Sequence, residues 1–134
     1  MRTDALSVDT SKRKFTDLTG EVERFVSSAG SNGLVSVFVP HATAGLALIE
    51  TGSGSEDDLD NALEGLLPRR RAYVHSHGSP GHGADHVLPA FISPSLVVPV
   101  VDSALQLGTW QSIVLVDLNR DNPGRTVRLS FIPA

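Results

Sequence analysis

The chain has five histidines: His41 stands apart, while His75, His77, His82 and His86 crowd into one short stretch. Imidazole is the side chain best suited both to ligating a metal and to moving protons near neutral pH. The stretch from Tyr73 to Val87 is rich in Gly, Ser and Pro, so it reads as a loop. Within it, His75-x-His77 places both rings on one side of an extended chain. His82-x3-His86 stacks two rings on one face if that piece is helical. Three neutral imidazoles with an open fourth position make a zinc-type site, which activates water or polarises an oxygen. The same spacing also suits a polar surface loop whose histidines only make hydrogen bonds. His41 ends an apolar run just before a small-residue turn, a position from which side chains commonly project into a site. There is no cysteine, so any metal must be held by His and carboxylate, without thiolates or a disulfide framework.

Other groups have two readings each. Glu50 ends the run Leu46-Ala47-Leu48-Ile49. It is either partly buried with a raised pKa, as suits a general acid or base, or a strand-end carboxylate in water. Asp102, after Val97–Val101, has the same two readings. Asp57, Asp58 and Asp60 fit a solvated role in the first turn of a helix. Trp110, the only tryptophan, sits in Gly108-Thr109-Trp110-Gln111. It can form a stacking wall beside polar groups or simply pack in a core. Gly52-Ser53-Gly54-Ser55 precedes a helix but lacks a Walker lysine and is followed by acidic residues, so a flexible connection is expected rather than a phosphate cradle. No nucleophile elbow, dinucleotide fingerprint or P-loop is present.

These groups must be positioned by a domain of 134 residues, large enough to bury one core and expected to form a single domain over 1–134. Ala5–Thr10 alternates as a short strand, and Lys12-Arg13-Lys14 reads as a turn or exposed strand. Thr16 or Thr19 caps a helix to about Ser28, with Val22, Phe25 and Val26 on one face and Gly30 beyond its end. Gly33–Pro40 and Gly45–Glu50 read as strands. Ser53 or Ser55 caps a second helix through Leu66, ended by Pro68-Arg69. Asp85–Phe91 is expected to form a helical turn interrupted by Pro89. Strands follow over Leu96–Val101, Ser112–Leu118 and Thr126–Ile132, with Asp121-Asn122-Pro123-Gly124 as a turn. Two helices and about six strands without βα alternation predict an α+β fold with a largely antiparallel sheet system. The net charge of -4 argues against generic nucleic-acid binding. No apolar run approaches the roughly 20 residues of a membrane span. The first residues lack the apolar stretch of a signal peptide, and a soluble cytoplasmic protein is expected.

Several segments together resemble the YjbQ family of small bacterial and archaeal proteins, some of which are described as secondary thiamine-phosphate synthases. The carrying segments are Val37-Phe38-Val39-Pro40-His41-Ala42-Thr43-Ala44-Gly45-Leu46 on to Glu50, then Leu67-Pro68, Tyr73-Val74-His75 and His86. Pro94-Ser95-Leu96, Pro99-Val100-Val101-Asp102 and Leu107-Gly108-Thr109-Trp110-Gln111 complete them. The resemblance implies two sheets packed as a sandwich with two main helices, and three subunits about a threefold axis. It also implies a polar cleft collecting His41, His75 and His86 as ligands of a divalent metal. The implied activity joins a pyrimidine diphosphate to a thiazole phosphate, giving thiamine phosphate and pyrophosphate. Such a reaction needs charge stabilisation on the leaving pyrophosphate, which a metal ion could supply. The sequence departs from the family pattern at His82, where Asn is common, at His77, and after Glu50. His77 is therefore assigned to the surface and His82 left as an optional fourth ligand or supporting group.

Two functions are compatible with these readings. The first is a metal-assisted enzyme with Glu50 as acid–base partner and Thr43, Trp110 and Gln111 lining the substrate cleft. Arg69 or Arg71 would then serve a phosphate, and zinc fits three imidazoles better than magnesium. The second is a non-enzymatic homotrimeric module that binds a metal or a small phosphorylated ligand.

Overall fold

A computed structural model describes residues 1–134. Its elements are β1 (Arg2–Asp9), β2 (Phe15–Asp17), α1 (Thr19–Ala29), β3 (Gly33–Phe38), β4 (Ala44–Ile49), α2 (Ser55–Leu66) and α3 (His82–Val87). A 3-10 turn (Leu88–Ala90), β5 (Ser95–Val101), β6 (Ala104–Leu105), β7 (Ser112–Asp117) and β8 (Gly124–Pro133) complete the chain. The fold is α+β, as expected. One sheet runs β1-β8-β3-β5-β6 and the other β2-β7-β4, and every pairing is antiparallel.

Alternation sets the inner face of the larger sheet. Val35 and Val37, Val98 and Val100, and Val127, Leu129 and Phe131 are all buried. They meet Leu46, Ile113 and Leu115 of the smaller sheet, and Val22, Phe25 and Val26 of α1, in one core. Strand β7 is buried on both sides, because Val114 and Val116 turn the other way, onto Leu63, Leu67, Ala84 and Leu88. That second cluster fixes α2 and α3 against the outer face of the smaller sheet. A continuous apolar run is what a strand covered on both faces requires.

Three local expectations are corrected. Helix α1 is preceded by Leu18 rather than a capping threonine. Asp17 Oδ1 accepts from the Thr19 N–H and hydroxyl, at 2.9 and 2.6 Å, and the Thr19 hydroxyl accepts from Ile113 N–H at 2.9 Å. Helix α2 starts after Gly54 in the left-handed region, a conformation serine adopts poorly. The last six residues of the expected histidine loop form helix α3. The helical turn expected over Asp85–Phe91 therefore begins earlier, at His82, and passes into the 3-10 turn that holds Pro89. Three helices stand where two main ones were expected.

The ends of four strands are tied by one buried polar node. Arg125 (4% exposed) and Asp117 (2% exposed) form a two-pronged ion pair, with Nε–Oδ2 at 2.7 Å and Nη2–Oδ1 at 3.1 Å. Arg125 Nη2 also donates to the Thr43 hydroxyl at 2.8 Å, and the Thr10 hydroxyl donates to Asp117 Oδ2 at 2.6 Å. Removing one partner of such a pair strands a charge in the interior. Arg125→Met is therefore expected to cost about 3 kcal/mol or more, read by urea denaturation. Arg125→Met with Asp117→Leu should recover part of that loss.

Candidate metal centre

Helix α3 presents His82 and His86 one turn apart on the same face. It begins after Gly81, whose φ is 88°, and Asp85 N–H closes the first turn onto Gly81 O at 3.0 Å. A side chain at Gly81 would collide with the Arg69 guanidinium. That guanidinium reaches past Gly81 to pair with Asp85, which is 1% exposed. Its second contact is Nη2–Oδ2 at 3.2 Å, and Asn119 Nδ2 donates to the same oxygen at 3.0 Å. Asp85 thus anchors α3 to the end of α2 and to the segment after β7.

His75 arrives from the preceding extended segment. Gly83 permits the approach, because a Cβ there would lie 2.5 Å from both His75 O and Tyr73 Cβ. The His75 ring centroid is 4.1 Å from that of His86 and 5.0 Å from that of His82. The ligand nitrogens of His75, His82 and His86 all lie within 4.8 Å of one another. His82 and His86 face each other through their Nε2 atoms at 3.0 Å. His82 Nδ1 pairs with Asp121 Oδ2 at 2.6 Å, which orients the ring and directs Nε2 inward.

At His75 and His86 the electrostatics favour the neutral imidazole. Desolvation, followed by the neighbouring histidines, lowers the pKa of both His75 and His86. Asp121 is held below the ordinary carboxylate value, first by the Ser79 N–H and then by its bond to His82. Three imidazoles gathered this closely could bind a metal ion. With metal–nitrogen bonds of about 2.0–2.1 Å, tetrahedral ligand nitrogens stand roughly 3.3 Å apart. The observed nitrogens, all within 4.8 Å of one another, would have to draw together to reach that spacing.

Several expected site residues lie elsewhere. His41 is outside the cluster: its Nε2 accepts from Thr126 N–H at 3.0 Å, so that lone pair is already used. Burial and then the charge of Arg125 lower its pKa. His82, left optional from sequence, takes the third position. His77 is exposed, yet its ring lies 4.2 Å from that of His75 at the rim. Thr43 is buried and bonded to Arg125, and Arg69 is committed to Asp85, so neither is free for substrate. Arg71 is exposed and stands over the Tyr73 ring at 5.9 Å. Asp102 is an exposed turn residue with φ of 50°.

Glu50, Trp110 and Gln111 form a separate group. Ile49 pairs with Ser112 at one end of β4 and β7, while Ala44 pairs with Asp117 at the other. The Glu50 end and the Asn119 end are therefore separated by roughly 16 Å of strand. Glu50 is half-buried there, and Trp110 is 73% exposed. Gln111 Oε1 accepts from Gly108 N–H at 2.8 Å. Asp121 and Asn119, which orient the histidine site, were not singled out from sequence. The one local signal available was the His-x3-His spacing.

With this geometry in view, the family described as UPF0047 protein YjbQ-like matches residues 4–134. The chain belongs to that family. It is 61% identical to a UPF0047 protein of Mycobacterium tuberculosis over 98% of each chain. It is 34% identical to one from Archaeoglobus fulgidus, covering 91% of this chain and 95% of that one. Among solved structures it is similar to a hypothetical protein from Aeropyrum pernix, with a TM-score of 0.88, 34% identity and full coverage of both chains. A protein of unknown function from Sulfolobus solfataricus has a TM-score of 0.91 and 27% identity, covering 99% of this chain and 97% of that one. The sandwich expected from the resemblance is thus the fold of the family.

Protons and metal compete for the same imidazole nitrogens. The pKa values of His75 and His86 lie below the ordinary 6.5, so both are neutral above that pH. A divalent metal held by these nitrogens would therefore bind at neutral pH and weaken as pH falls below the ordinary 6.5. Chelator competition between about pH 5 and 8 checks this.

Proposed function

We propose that the chain is a metal-assisted enzyme acting on a small phosphorylated substrate, with His75, His82 and His86 as the ligands. The carrying observation is the approach of His82 and His86 through their Nε2 atoms, with Asp121 holding the opposite nitrogen of His82. A carboxylate on the far side of an imidazole fixes its tautomer and raises its basicity toward a metal. Zinc is the expected ion, because imidazole suits it better than oxygen-seeking magnesium. When bound, a divalent ion supplies charge stabilisation to a departing phosphate or pyrophosphate.

The candidate reaction is synthesis of thiamine phosphate from a pyrimidine diphosphate and a thiazole phosphate, with release of pyrophosphate. In this reading Asp121 orients His82, and Asp85 with Arg69 keeps α3 in place. Glu50 stands too far from the histidines of its own chain to serve them. A homotrimer offers the way to place Glu50, Trp110 and Gln111 of one subunit beside the histidines of another. The outer face of the five-stranded sheet supports self-assembly. It exposes Leu34, Phe38, Val97, Val101 and Ile132 at 39–56%, and Leu34 lies in register with Pro99 on one side and Ile132 on the other. A contiguous apolar patch on a sheet face marks an interaction surface.

The alternative is a trimeric module that holds a metal or a phosphorylated ligand without turning it over. It is favoured by the distance of Glu50 from the histidines within one chain.

Elemental analysis separates the ligand sets. Wild type and His41→Ala are expected to retain one zinc per chain, and a His82→Ala, His86→Ala double variant to lose it. In the same preparations, thiamine phosphate should form in wild type and disappear with His86→Ala or Glu50→Gln. Zinc retention without product would select the binding module. The assembly is checked by mass in solution: a trimer is expected, shifting to monomer with Val97→Asp, and a monomeric wild type would contradict it.

A further inference from the structure

A second polar cleft, of about 410 Å³, lies between the segment joining β1 to β2 and the segment joining β7 to β8. Its walls carry Lys12, Arg13, Lys14 and Arg120, and Asp117 and Asn119 contribute to its lining. Four cations around one cleft form a marked concentration in a chain of net charge -4.

The charges of the cleft can be matched one by one. Asp117 is neutralised by Arg125, so the lining offers no free acid. Lys14 pairs with Asp60 at 2.8 Å. Lys12, Arg13 and Arg120 take part in none of the ion pairs, although Lys12 lies in the field of Asp9. Three like charges held about one concavity repel each other, and an anion between them removes that cost.

The cradle is also held open by the backbone. At one end Thr10 N–H donates to Pro123 O at 2.7 Å, and at the other Asp117 N–H donates to Lys14 O at 2.9 Å. Both walls are thus clamped before any ligand arrives, which lowers the ordering cost of binding. Arginine and lysine on a preformed concavity suit phosphate oxygens, arginine through paired N–H donors.

We infer that this cleft recognises the phosphate or diphosphate group of a small metabolite through Lys12, Arg13 and Arg120. The volume accommodates a phosphorylated small molecule. Asn119 is common to the cleft and to the histidine site, since its Nδ2 lies 3.3 Å from His82 Nδ1. The anion site needs no metal and stands or falls separately from the metal reading.

The test uses inorganic pyrophosphate titrated by calorimetry into the full chain after metal removal. Saturable binding with one site per chain is expected. Arg120→Ala and a Lys12→Ala, Arg13→Ala double variant should each weaken it roughly tenfold or more. All three side chains are exposed, so these variants should melt like wild type. His86→Ala should bind pyrophosphate as wild type does, even where it has lost zinc. Absence of saturable binding, or unchanged affinity in both charge variants, would overturn the assignment. Displacement of pyrophosphate by a single-stranded oligonucleotide at far lower concentration would also overturn it, making the cleft a nucleic-acid surface instead.

Discussion

The ion pair between Asp117 and Arg125 is the constraint on which the site regions depend. Two charges this deeply buried are tolerable only when every oxygen and N–H finds a partner. The demand is met by Thr10 from the end of β1, Thr43 from the approach to β4, and the backbone of Asn119, whose N–H reaches Asp117 Oδ1 at 3.0 Å. Satisfying one carboxylate therefore fixes the relative positions of β1, β4, β7 and β8 at one end of the sandwich. Asn119, turned by that bond, sends its amide to Asp85 and toward His82. Its carbonyl accepts from Asp121 and Asn122 N–H groups at 3.0 and 3.2 Å, which shapes the turn that carries Asp121 to His82. The geometry of the histidines is inherited from the buried pair.

The fold was legible where burial repeats along the chain. Val35 and Val37, or Val127, Leu129 and Phe131, alternate in a way that leaves one choice of inward face. The unbroken run Ile113–Val116 announces a strand covered on both sides. What stayed hidden is held by long-range contacts. Strand β2 is three residues and β6 two, too short to carry a period. Helix α3 was expected only from Asp85 on; its first turn lies in a Gly-, Ser- and Pro-rich stretch, and its anchors, Arg69 and Asn119, are distant in sequence. Within the site, His82-x3-His86 could be read directly. The position of His41 at a strand end says that its side chain projects, but not that Thr126, 85 residues away, will occupy its nitrogen. Asp121 looked like a turn residue because the D-N-P-G pattern explains it locally.

Pairing also separates the structural cations from those left for ligands. Arg125 and Arg69 are at least three-quarters buried, and each closes on a carboxylate that would otherwise be stranded. Neither can turn to a phosphate without unmaking the fold around it. Lys12, Arg13 and Arg120 stand at the surface, where solvation makes an unpaired charge inexpensive. They are free to exchange water for a ligand. Of the two arginines expected from sequence to serve a phosphate, Arg69 is thus committed to Asp85, whereas Arg71 is exposed and in no ion pair, as Lys12, Arg13 and Arg120 are.

Asn119 belongs to both candidate sites, and this restricts what either can do alone. Its amide cannot rotate toward a ligand in the cleft without releasing Asp85, and Asp85 holds the helix bearing two of the three imidazoles. Asn119 is therefore a fixed part of the wall of the proposed cleft, while the cations around it stay exposed. The two candidate sites share Asn119, whose side chain is bonded to Asp85 and to the N–H of Asp121. Such an arrangement suits a substrate carrying its anionic group at one end and its reacting bond at the other, with the distance between them set by the protein. It leaves acid–base chemistry to be supplied from outside this rigid unit. The end of the sheet bearing Glu50 and Trp110 lies roughly 16 Å of strand from the Asn119 end, so the proposed enzyme would need a second subunit to bring a carboxylate to the histidines, whereas the proposed binding module would not.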